Sequence, residues 1–194
     1  PHEDAAAFEQ FLDQVQARYD VTWNAAEVQE AVSSSGHPME HLDDGSVLAT
    51  GAVPDQEDHT ITLRTAGTGQ RLLLVEALQD PSLFENRVGR AANGNAVLSY
   101  LEAEAISVAD PSRRQQLQFT WAWADVEQQN LDFDVVNMLD PASDRGWAVA
   151  AHEIPGTRNA LLLTDQPFGF EGGTDLRVTL QYRSIYAQHS LGRV

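Results

Sequence analysis

Two glycines in the stretch GRAANGNAVLSY, residues 89 to 100, have the spacing of a phosphate-binding loop. Gly89 and Gly94 reproduce the glycines of G-x-x-x-x-G-K-S/T, but Asn95 stands at the lysine position and Ala96 at the hydroxyl position. A phosphate loop also needs a helix after its last glycine, so that helix N–H groups and the lysine converge on the anion. Since the residues after Gly94 alternate as in a strand, the stretch argues against a nucleotide site.

The stretch instead predicts the end of a long loop between two strands, DPSLFENRVGRAANGN at residues 80 to 95. Its glycines and asparagines are expected to supply left-handed backbone conformations and side chains that hydrogen-bond their own backbone: Gly89, Asn93, Gly94 and Asn95. Loops of this length in a compact domain are usually functional or held by their own contacts. Asn93 and Asn95 are therefore candidate ligand-binding residues.

Aromatic side chains suggest another kind of chemistry, because their faces pack against the apolar side of pyranose rings. Four of them lie near predicted loops or strand ends and are candidates for an exposed contact: Trp23, Phe84, Tyr182 and Tyr186. Among the four, we take Trp23 and Tyr186 as the candidate ligand-binding residues.

Three further aromatics, Phe119, Trp121 and Trp123, alternate in FTWAW and are expected on one face of a strand. Such a row favours a place in the core, and a sugar-stacking platform is the alternative. Trp147, directly after Gly146, is also expected in the core.

Two arginines and one histidine complete the candidate ligand-binding residues. Arg90 and Arg193 each follow a glycine, and they either face a ligand or tie the long loop to the last strand through backbone carbonyls; the tie is favoured. His189 lies in the same C-terminal stretch as Arg193. Because the chain has neither H-E-x-x-H nor G-x-S-x-G, we expect no histidine metal cluster and no hydrolase triad.

Composition excludes several classes of protein. The chain has 194 residues, 42% of them hydrophobic, which suffices for one packed domain. Twelve arginines, with no lysine, against 29 acidic residues give a net charge of −17, so nucleic acid is not an expected partner. The absence of cysteine excludes disulfides, thiolate metal sites and C-x-x-C-H attachment, so we expect no haem in this chain. No run of 18 apolar residues occurs, so we expect no membrane insertion.

An N-terminal helix precedes the predicted strands. Residues 4 to 19 have apolar side chains at spacings of four, three and four, the stripe of an amphipathic helix: Phe8, Leu12, Val15 and Tyr19. We assign residues 1 to 20 to this helix and residues 21 to 194 to one domain. The start PHEDAAAF lacks the regions of a signal peptide, and we interpret the chain as a part of a longer protein.

After the helix, the pattern changes to short runs rich in β-branched and aromatic residues, separated by Gly, Pro, Asn and Asp. The eight runs are SVLATG, DHTITLRT, QRLLLVEAL, NAVLSYLEAEAISV, QQLQFTWAWADV, GWAVAA, RNALLLT and TDLRVTLQYRS. Several alternate apolar with polar residues, as strands with one wet face do. The runs predict an all-β, two-sheet antiparallel sandwich or jelly roll.

Several short motifs resemble the accessory β-domain of large planctomycete proteins that carry a cytochrome-c-like domain and the domains of unknown function numbered 1549 and 1553. The motifs are LEALPDPSLP-like, GRAPNGNFVL-like, AIDGDPATGWAV-like and QHTLGRFRLSVT-like, and they cover most of residues 42 to 194. The matching residues are Leu78, Asp80 to Leu83, Gly89 to Ala91, Asn93 to Asn95, Val97, Leu98, Asp140, Gly146 to Val149, Gln188, His189 and Leu191 to Arg193. The resemblance implies an exported protein, periplasmic or at the cell surface.

The segment NMLDPASDRGW also resembles discoidin-type, galactose-binding-like jelly rolls, in which a D-G-x-x-x-T-x-W turn often lies beside a structural calcium. Pro141 and Arg145 replace the glycine and the threonine of that pattern. Asp140, Ser143 and Asp144 could still turn oxygens toward one cation and are the candidate metal ligands. The alternative, which is favoured, is an Asp-Pro turn closed by Asx-type hydrogen bonds.

Three functions follow from these expectations. The first is a non-catalytic carbohydrate- or glycoconjugate-binding module of a larger exported protein. The second is a structural spacer that packs between neighbouring domains of the same polypeptide and binds no small molecule; an extensive apolar patch would support it. The third and least favoured is a glycan-active enzyme, which would need two carboxyl groups about 5 to 9.5 Å apart in one cleft.

Overall fold

The computed structural model describes residue 10, residues 22 to 129 and residues 131 to 194. Within these residues the chain forms short strands joined by loops, with two single 3-10 turns at Phe84–Asn86 and Val135–Leu139. The strands are β1 (Glu27–Ser33), β2 (Met39–His41), β3 (Val47–Ala49), β4 (Glu57–Thr65), β5 (Gln70–Ala77), β6 (Val97–Leu98), β7 (Tyr100–Ser107), β8 (Arg114–Leu117), β9 (Phe119–Ala124), β10 (Trp147–Ala148), β11 (Arg158–Phe168) and β12 (Thr174–Tyr182).

Two antiparallel sheets dominate the fold. One has five strands in the order β1-β4-β12-β7-β8, and the other has three in the order β5-β11-β9. Two small pairs, β2 with β3 and β10 with β6, complete the paired strands of the described chain. The register is regular across β12, where Val178 lies opposite Ile61 on one side and Ala103 on the other. The all-β class and the antiparallel pairing predicted from the sequence are confirmed.

The core lies between the two large sheets. Strand β7 alternates as predicted, with Leu101, Ala103 and Ala105 buried and the intervening glutamates partly exposed. These residues join one apolar cluster with Val75 of β5 and Leu162 of β11, which belong to the three-stranded sheet. The alternation that places one side chain in two toward the opposite sheet is therefore what holds the sandwich together.

Each of the eight predicted runs contains a strand, and two runs contain two. The chain leaves the five-stranded sheet at Leu117 and enters the three-stranded sheet at Phe119, so one predicted run is divided between both sheets. The sequence patterns missed β1 and β2. Strand β1 carries Glu27 and Glu30 and lies at the edge of its sheet, where charged side chains are tolerated and the apolar signal is weak. The helix predicted over residues 4 to 19 lies outside the described residues, apart from Gln10, which is helical.

The long loops meet at one end of the sandwich, which we call the loop end. It is formed by the segments 50 to 56, 78 to 96, 125 to 157 and 183 to 191. Backbone hydrogen bonds join them, from the N–H of Arg90 to Ser190 O, from Ile185 to Asp144 O and from Gln188 to Asp55 O. The loop end is thus one connected surface.

Candidate functional site

Most of the residues that the sequence singled out lie in loop-end segments. These are Arg90, Asn93, Asn95, Asp140, Ser143, Asp144, Tyr186 and His189. Trp23 lies elsewhere, since it precedes β1, whose Glu27 pairs with Arg64, and its neighbour Asn24 adjoins Gly67 in the turn after β4. The structure therefore brings eight candidates to one end and places Trp23 near the other.

Tyr186 is one of two exposed aromatic residues of the loop end, with 41% of its surface accessible; the other is Phe84. Its ring contacts Phe133, at 5.6 Å between ring centroids, and His189, at 5.5 Å. Phe133 is fully buried and also lies under the guanidinium of Arg145, 5.4 Å from the ring centroid. Tyr186 and Arg145 thus both contact one buried ring, and we call Phe133, Arg145, Tyr186 and His189 the aromatic cluster.

Local hydrogen bonds hold Tyr186 in this position. The buried hydroxyl of Ser184 accepts the N–H of Tyr186 at 3.2 Å and lies 3.2 Å from the Tyr186 carbonyl, to which it donates. The N–H of Ile185 donates to the carbonyl of Asp144 at 3.3 Å, which joins this loop to the Asp140 turn. Gln188 has a positive φ of 65°, a conformation that costs free energy and is kept by its bond to Asp55. The exposed ring is therefore fixed before any ligand binds.

Polar groups lie beside the exposed ring, at His189, and in the neighbouring Asp140 turn. His189 Nδ1 lies 2.7 Å from the carbonyl of Ala187. Since a carbonyl only accepts, Nδ1 carries the proton and Nε2 of the neutral ring is an acceptor. The guanidinium of Arg145, 40% exposed, offers donors, and the carboxylate of Asp144, 66% exposed, offers acceptors, with 3.5 Å between Nε and Oδ1. An aromatic face flanked by donors and acceptors can bind a molecule that has an apolar face and hydroxyl groups.

The Asp140 turn closes on itself. Asp140 Oδ1 accepts the N–H of Ala142 at 2.9 Å, and Ser143 Oγ accepts the N–H of Arg145 at 3.2 Å. Calcium takes six to eight oxygens, whereas here a guanidinium lies against Asp144. Across the described ranges no group of three His, Cys, Asp or Glu side chains could hold a metal. The oxygens have the Asx-type arrangement that the sequence favoured, and calcium at Asp140, Ser143 and Asp144 stays a prediction.

Arg90 is committed to contacts within the protein. Its side chain is 3% exposed, and Nη1 donates to Glu57 Oε1 at 2.8 Å. Nη2 donates to the carbonyls of Thr50, Gly51 and Ala52 at 2.9 to 3.2 Å. It therefore ties the long loop through backbone carbonyls, as the favoured interpretation expected, but to the segment after β3.

Glu57 is the centre of a buried polar group, 3% exposed. Besides Arg90, it accepts hydrogen bonds from Ser190 at 2.7 Å and Ser33 at 2.9 Å, and His59 Nε2 lies 3.2 Å away. Burial alone would raise its pKa, but the contacts with His59, Ser190 and Ser33 outweigh burial and lower the pKa to about 2. Glu57 is thus ionised at neutral pH and joins two segments of the loop end to the end of β1.

Arg193 also has protein partners for its donors. Its Nε donates to Ser46 Oγ at 2.8 Å, and its Nη atoms contact the carboxylates of Asp44 and Asp80, the latter at 3.4 Å. Its backbone forms bridges with Leu48 and with Leu78. Arg193 therefore links the last residues of the chain to β3 and to the start of the long loop.

The two asparagines of the GRAANGN stretch differ in exposure. Asn93 is exposed, and its Oδ1 accepts the N–H of Asn95 at 3.0 Å, the self-bonding that was predicted. Asn95 is 3% exposed, donates to Gln128 Oε1 at 3.2 Å and accepts the N–H of Ala151 at 3.0 Å. Asn93 is available to a ligand, whereas Asn95 joins three loops from inside.

The two glycines of this stretch are required for two different reasons. Gly94 has the predicted left-handed conformation, with φ of 76°. Gly89 does not, and neither asparagine does; instead, a Cβ at Gly89 would overlap the carbonyl of Asn95. The phosphate-loop spacing thus reflects the left-handed conformation of Gly94 and the close approach of Gly89 to the backbone of Asn95 in the same loop.

Two expectations about aromatic residues are wrong. Tyr182 is buried, 3% exposed, since it lies inside β12 and its ring meets His59 at 4.9 Å. Trp121 was expected in the core and is 43% exposed. Trp121 lies opposite Leu163 and Phe119 opposite the next residue of β11, so Thr120 is an extra residue that moves the two rings to different faces.

The other aromatic residues either have the burial that was predicted or are half-buried. Trp147 is fully buried and Phe84 is 48% exposed, as expected. Phe119 packs against the core, and Trp123 is half-buried. Trp23 is half-buried, and its indole N–H has no hydrogen-bond partner in the part of the chain that the structure describes.

The sequence did not identify Phe133 and Arg145 as members of a site. Phe133 lies in FDVVNML, where an apolar ring gives no sign that it supports an exposed one. Arg145 stands where the galactose-binding-like pattern has threonine, and that departure was the available signal.

Comparisons with known proteins gave no match: no family model, curated protein or solved structure is similar to the chain. The described residues contain no helix that is long and apolar enough to cross a membrane.

Proposed function

We propose that this chain is a non-catalytic carbohydrate- or glycoconjugate-binding module of a larger exported protein, and that the aromatic cluster is its binding surface. The observation that carries the proposal is Tyr186, an exposed ring packed against the imidazole of His189 and against buried Phe133, which also contacts the guanidinium of Arg145. A pyranose could stack its apolar face on the ring while its hydroxyls bond to Arg145, Asp144 and His189 Nε2. Asn93 lies in the same loop end and would extend the surface.

The strand arrangement supports a galactose-binding-like jelly roll. Eight strands form the two large sheets, and the chain passes from one sheet to the other after β4, β5, β8 and β11. Double-sheet jelly rolls likewise have eight strands in two sheets. Fold analogy is a weak reason for a function, so the aromatic cluster carries the proposal. The resemblance to the planctomycete accessory β-domain supports export and neighbouring domains.

The test is a glycan array probed with the folded chain, in calcium and again after chelation. We expect reproducible binding to glycans that expose an apolar ring face. Binding that survives chelation would fit the closed Asp140 turn, and binding that disappears would place calcium there. No binding to marine or bacterial polysaccharides by the folded chain would overturn the proposal.

A second candidate is the interdomain spacer, favoured by Trp121. This ring is 43% exposed on the outer face of the three-stranded sheet, opposite the half-buried Leu163. An exposed indole beside a leucine would suit packing against a neighbouring domain. In that case Trp121→Asp would weaken association with the neighbouring domain and leave glycan binding unchanged. A glycan-active enzyme stays a third proposal, and turnover of any array glycan would establish it.

A further inference from the structure

The two large sheets differ in width, and the three-stranded sheet covers only part of the five-stranded one. Neighbouring strands lie about 4.8 Å apart, so a five-stranded sheet extends roughly 10 Å beyond a three-stranded one. The buried members of the shared core cluster come from β12, β7 and β8 of the wide sheet and from all three strands of the narrow one, while β4 adds only the partly buried Leu63. Strand β1 and the rest of β4 therefore need another cover.

Among residues 22 to 129 and 131 to 194, the cover on this side is incomplete. Val47 of β3 exchanges backbone hydrogen bonds with Val194, at 2.7 and 3.0 Å, and this pair closes part of the gap. A cavity of about 240 Å³ remains between β4, β12 and β5. The inner part of the cavity is apolar, because it is lined by Ile61, Val178 and Val75, which are 5 to 7% exposed.

The entrance of the cavity is acidic. Asp44 and Glu76 line the cavity and are exposed, so they lie at its opening. Asp44 is paired with Arg193, whereas Glu76 has no ion-pair partner among the residues that the structure describes. Glu27 lines an adjoining recess that shares Val28 with the cavity. The opening therefore has a net negative charge, within a chain of net charge −17.

We propose that this cavity binds a small molecule with an apolar body and a cationic head group. The apolar walls would exclude water from the body, and a cavity of about 150 Å³ already holds benzene, so about six to eight carbon atoms would fit. The head group would remain at the opening, beside Glu76, where it is partly hydrated. An anionic head group would be repelled by the same carboxylate. No residue of the aromatic cluster lines this cavity, so the two sites are independent.

The test titrates the ¹⁵N-labelled chain with three probes that share one body: hexylammonium, 1-hexanol and hexanoate. We expect saturable NMR shifts at Ile61, Val75 and Val178 with hexylammonium, and competition by 1-hexanol. Hexanoate should bind at least about tenfold more weakly than hexylammonium. Absence of saturable shifts at these residues with all three probes would overturn the site. Equal affinities for hexylammonium and hexanoate would overturn the charge selection.

Two variants separate the cavity from general attraction to an acidic protein. Val178→Phe should fill the cavity and abolish binding of every probe; if it does not fold, Glu76→Gln at the surface carries the test. Glu76→Gln should weaken hexylammonium about threefold and leave 1-hexanol unchanged. Glu104→Gln is the matched control, because this carboxylate pairs with Arg114 and Arg177 and does not line the cavity. An equal effect of both variants would contradict the proposed position of the head group.

Discussion

At the scale of single residues, the loop end depends on one buried carboxylate. Glu57 is ionised, 3% exposed and bonded to Arg90, Ser33 and Ser190. Removing one partner of a buried ion pair leaves the other charge without compensation, which costs about 3–5 kcal/mol. We expect Glu57→Gln to lower the free energy of unfolding by that order at neutral pH, measured by urea denaturation. Glu85→Gln, whose side chain is 63% exposed, should change it by less than about 0.5 kcal/mol.

The same residue predicts a pH dependence. The pKa of Glu57 falls from its ordinary 4.5 to about 2 in the folded chain. A lowered pKa stabilises the fold at pH values above 4.5, and this stabilisation is lost as the pH falls toward 2. The contribution is roughly 3 kcal/mol at about 1.4 kcal/mol per pH unit. The stability difference between wild type and Glu57→Gln should therefore shrink between these pH values; a constant difference would show that Glu57 titrates normally.

The local hydrogen bonds and exposure of single residues could be predicted from the sequence better than contacts between residues that are distant along the chain. The self-bonding of Asn93, the burial of Trp147 and the exposure of Tyr186 followed from turn chemistry and position along strands. The exposure of Trp121 could not be predicted, since it depends on a single extra residue in β9 that only strand pairing reveals. Likewise, Glu57 is surrounded by partners as distant in sequence as Ser190, and no local pattern shows such a group.

At the scale of elements, the close approach between β6 and the Gly146 turn predicts how much a glycine substitution lowers the free energy of unfolding. Gly146 has φ of 76°, and a Cβ there would overlap the carbonyl of Leu98. Gly36 has nearly the same φ, 73°, but a Cβ would meet nothing within 4 Å. Gly36→Ala should cost about 1 kcal/mol for its backbone conformation alone. Gly146→Ala should cost at least about 3 kcal/mol in thermal or urea unfolding, because the backbone must also move.

Equal losses in the two glycine variants would contradict the close approach of these segments. A loss confined to Gly146→Ala would show that the turn bearing Arg145 is held by packing against β6.

The Asp140 turn predicts the response to calcium. Its oxygens accept hydrogen bonds from Ala142 and Arg145, and the Arg145 guanidinium lies beside Asp144. We therefore expect the melting temperature to change by less than about 1 °C between millimolar calcium and chelator, in differential scanning fluorimetry. A rise of several degrees in calcium would show that the turn opens to bind the ion, and Asp140→Asn should then remove the rise.

Elements were largely predictable where burial imposes alternation. Strands β4, β7 and β12 have clear apolar periods, because one face of each lies toward the core, whereas β5 and β11 show continuous apolar runs. Edge strand β1 was missed because its sheet neighbour lies on one side only and its sequence is largely polar. The five-to-three division of strands, and hence the cavity beside β4, depends on pairings between distant segments that the pattern of one chain does not contain.

At the scale of the whole molecule, charge should select the glycan. The net charge of −17 repels polyanions over about 10 Å at ordinary salt. We therefore expect neutral glycans to bind better than sulfated or uronate-rich ones in the array. Raising the salt concentration should reduce the difference in affinity between neutral and anionic glycans, because the anionic glycans would then bind better. Strong preference for anionic glycans at low salt would contradict the expectation that the net charge of the chain governs which glycan binds.

The central claim is that Tyr186 is the stacking ring of a glycan-binding surface. The most direct measurement is calorimetric titration of the strongest array glycan into wild type, Tyr186→Ala and Trp121→Ala. The two rings are similarly exposed, at 41% and 43%, so truncating either should leave the fold intact. We predict that Tyr186→Ala weakens binding by about 1–3 kcal/mol, as for other rings stacked on aromatic side chains, and that Trp121→Ala binds like wild type. Unchanged affinity in the folded Tyr186→Ala variant, or a loss in Trp121→Ala instead, would contradict the claim.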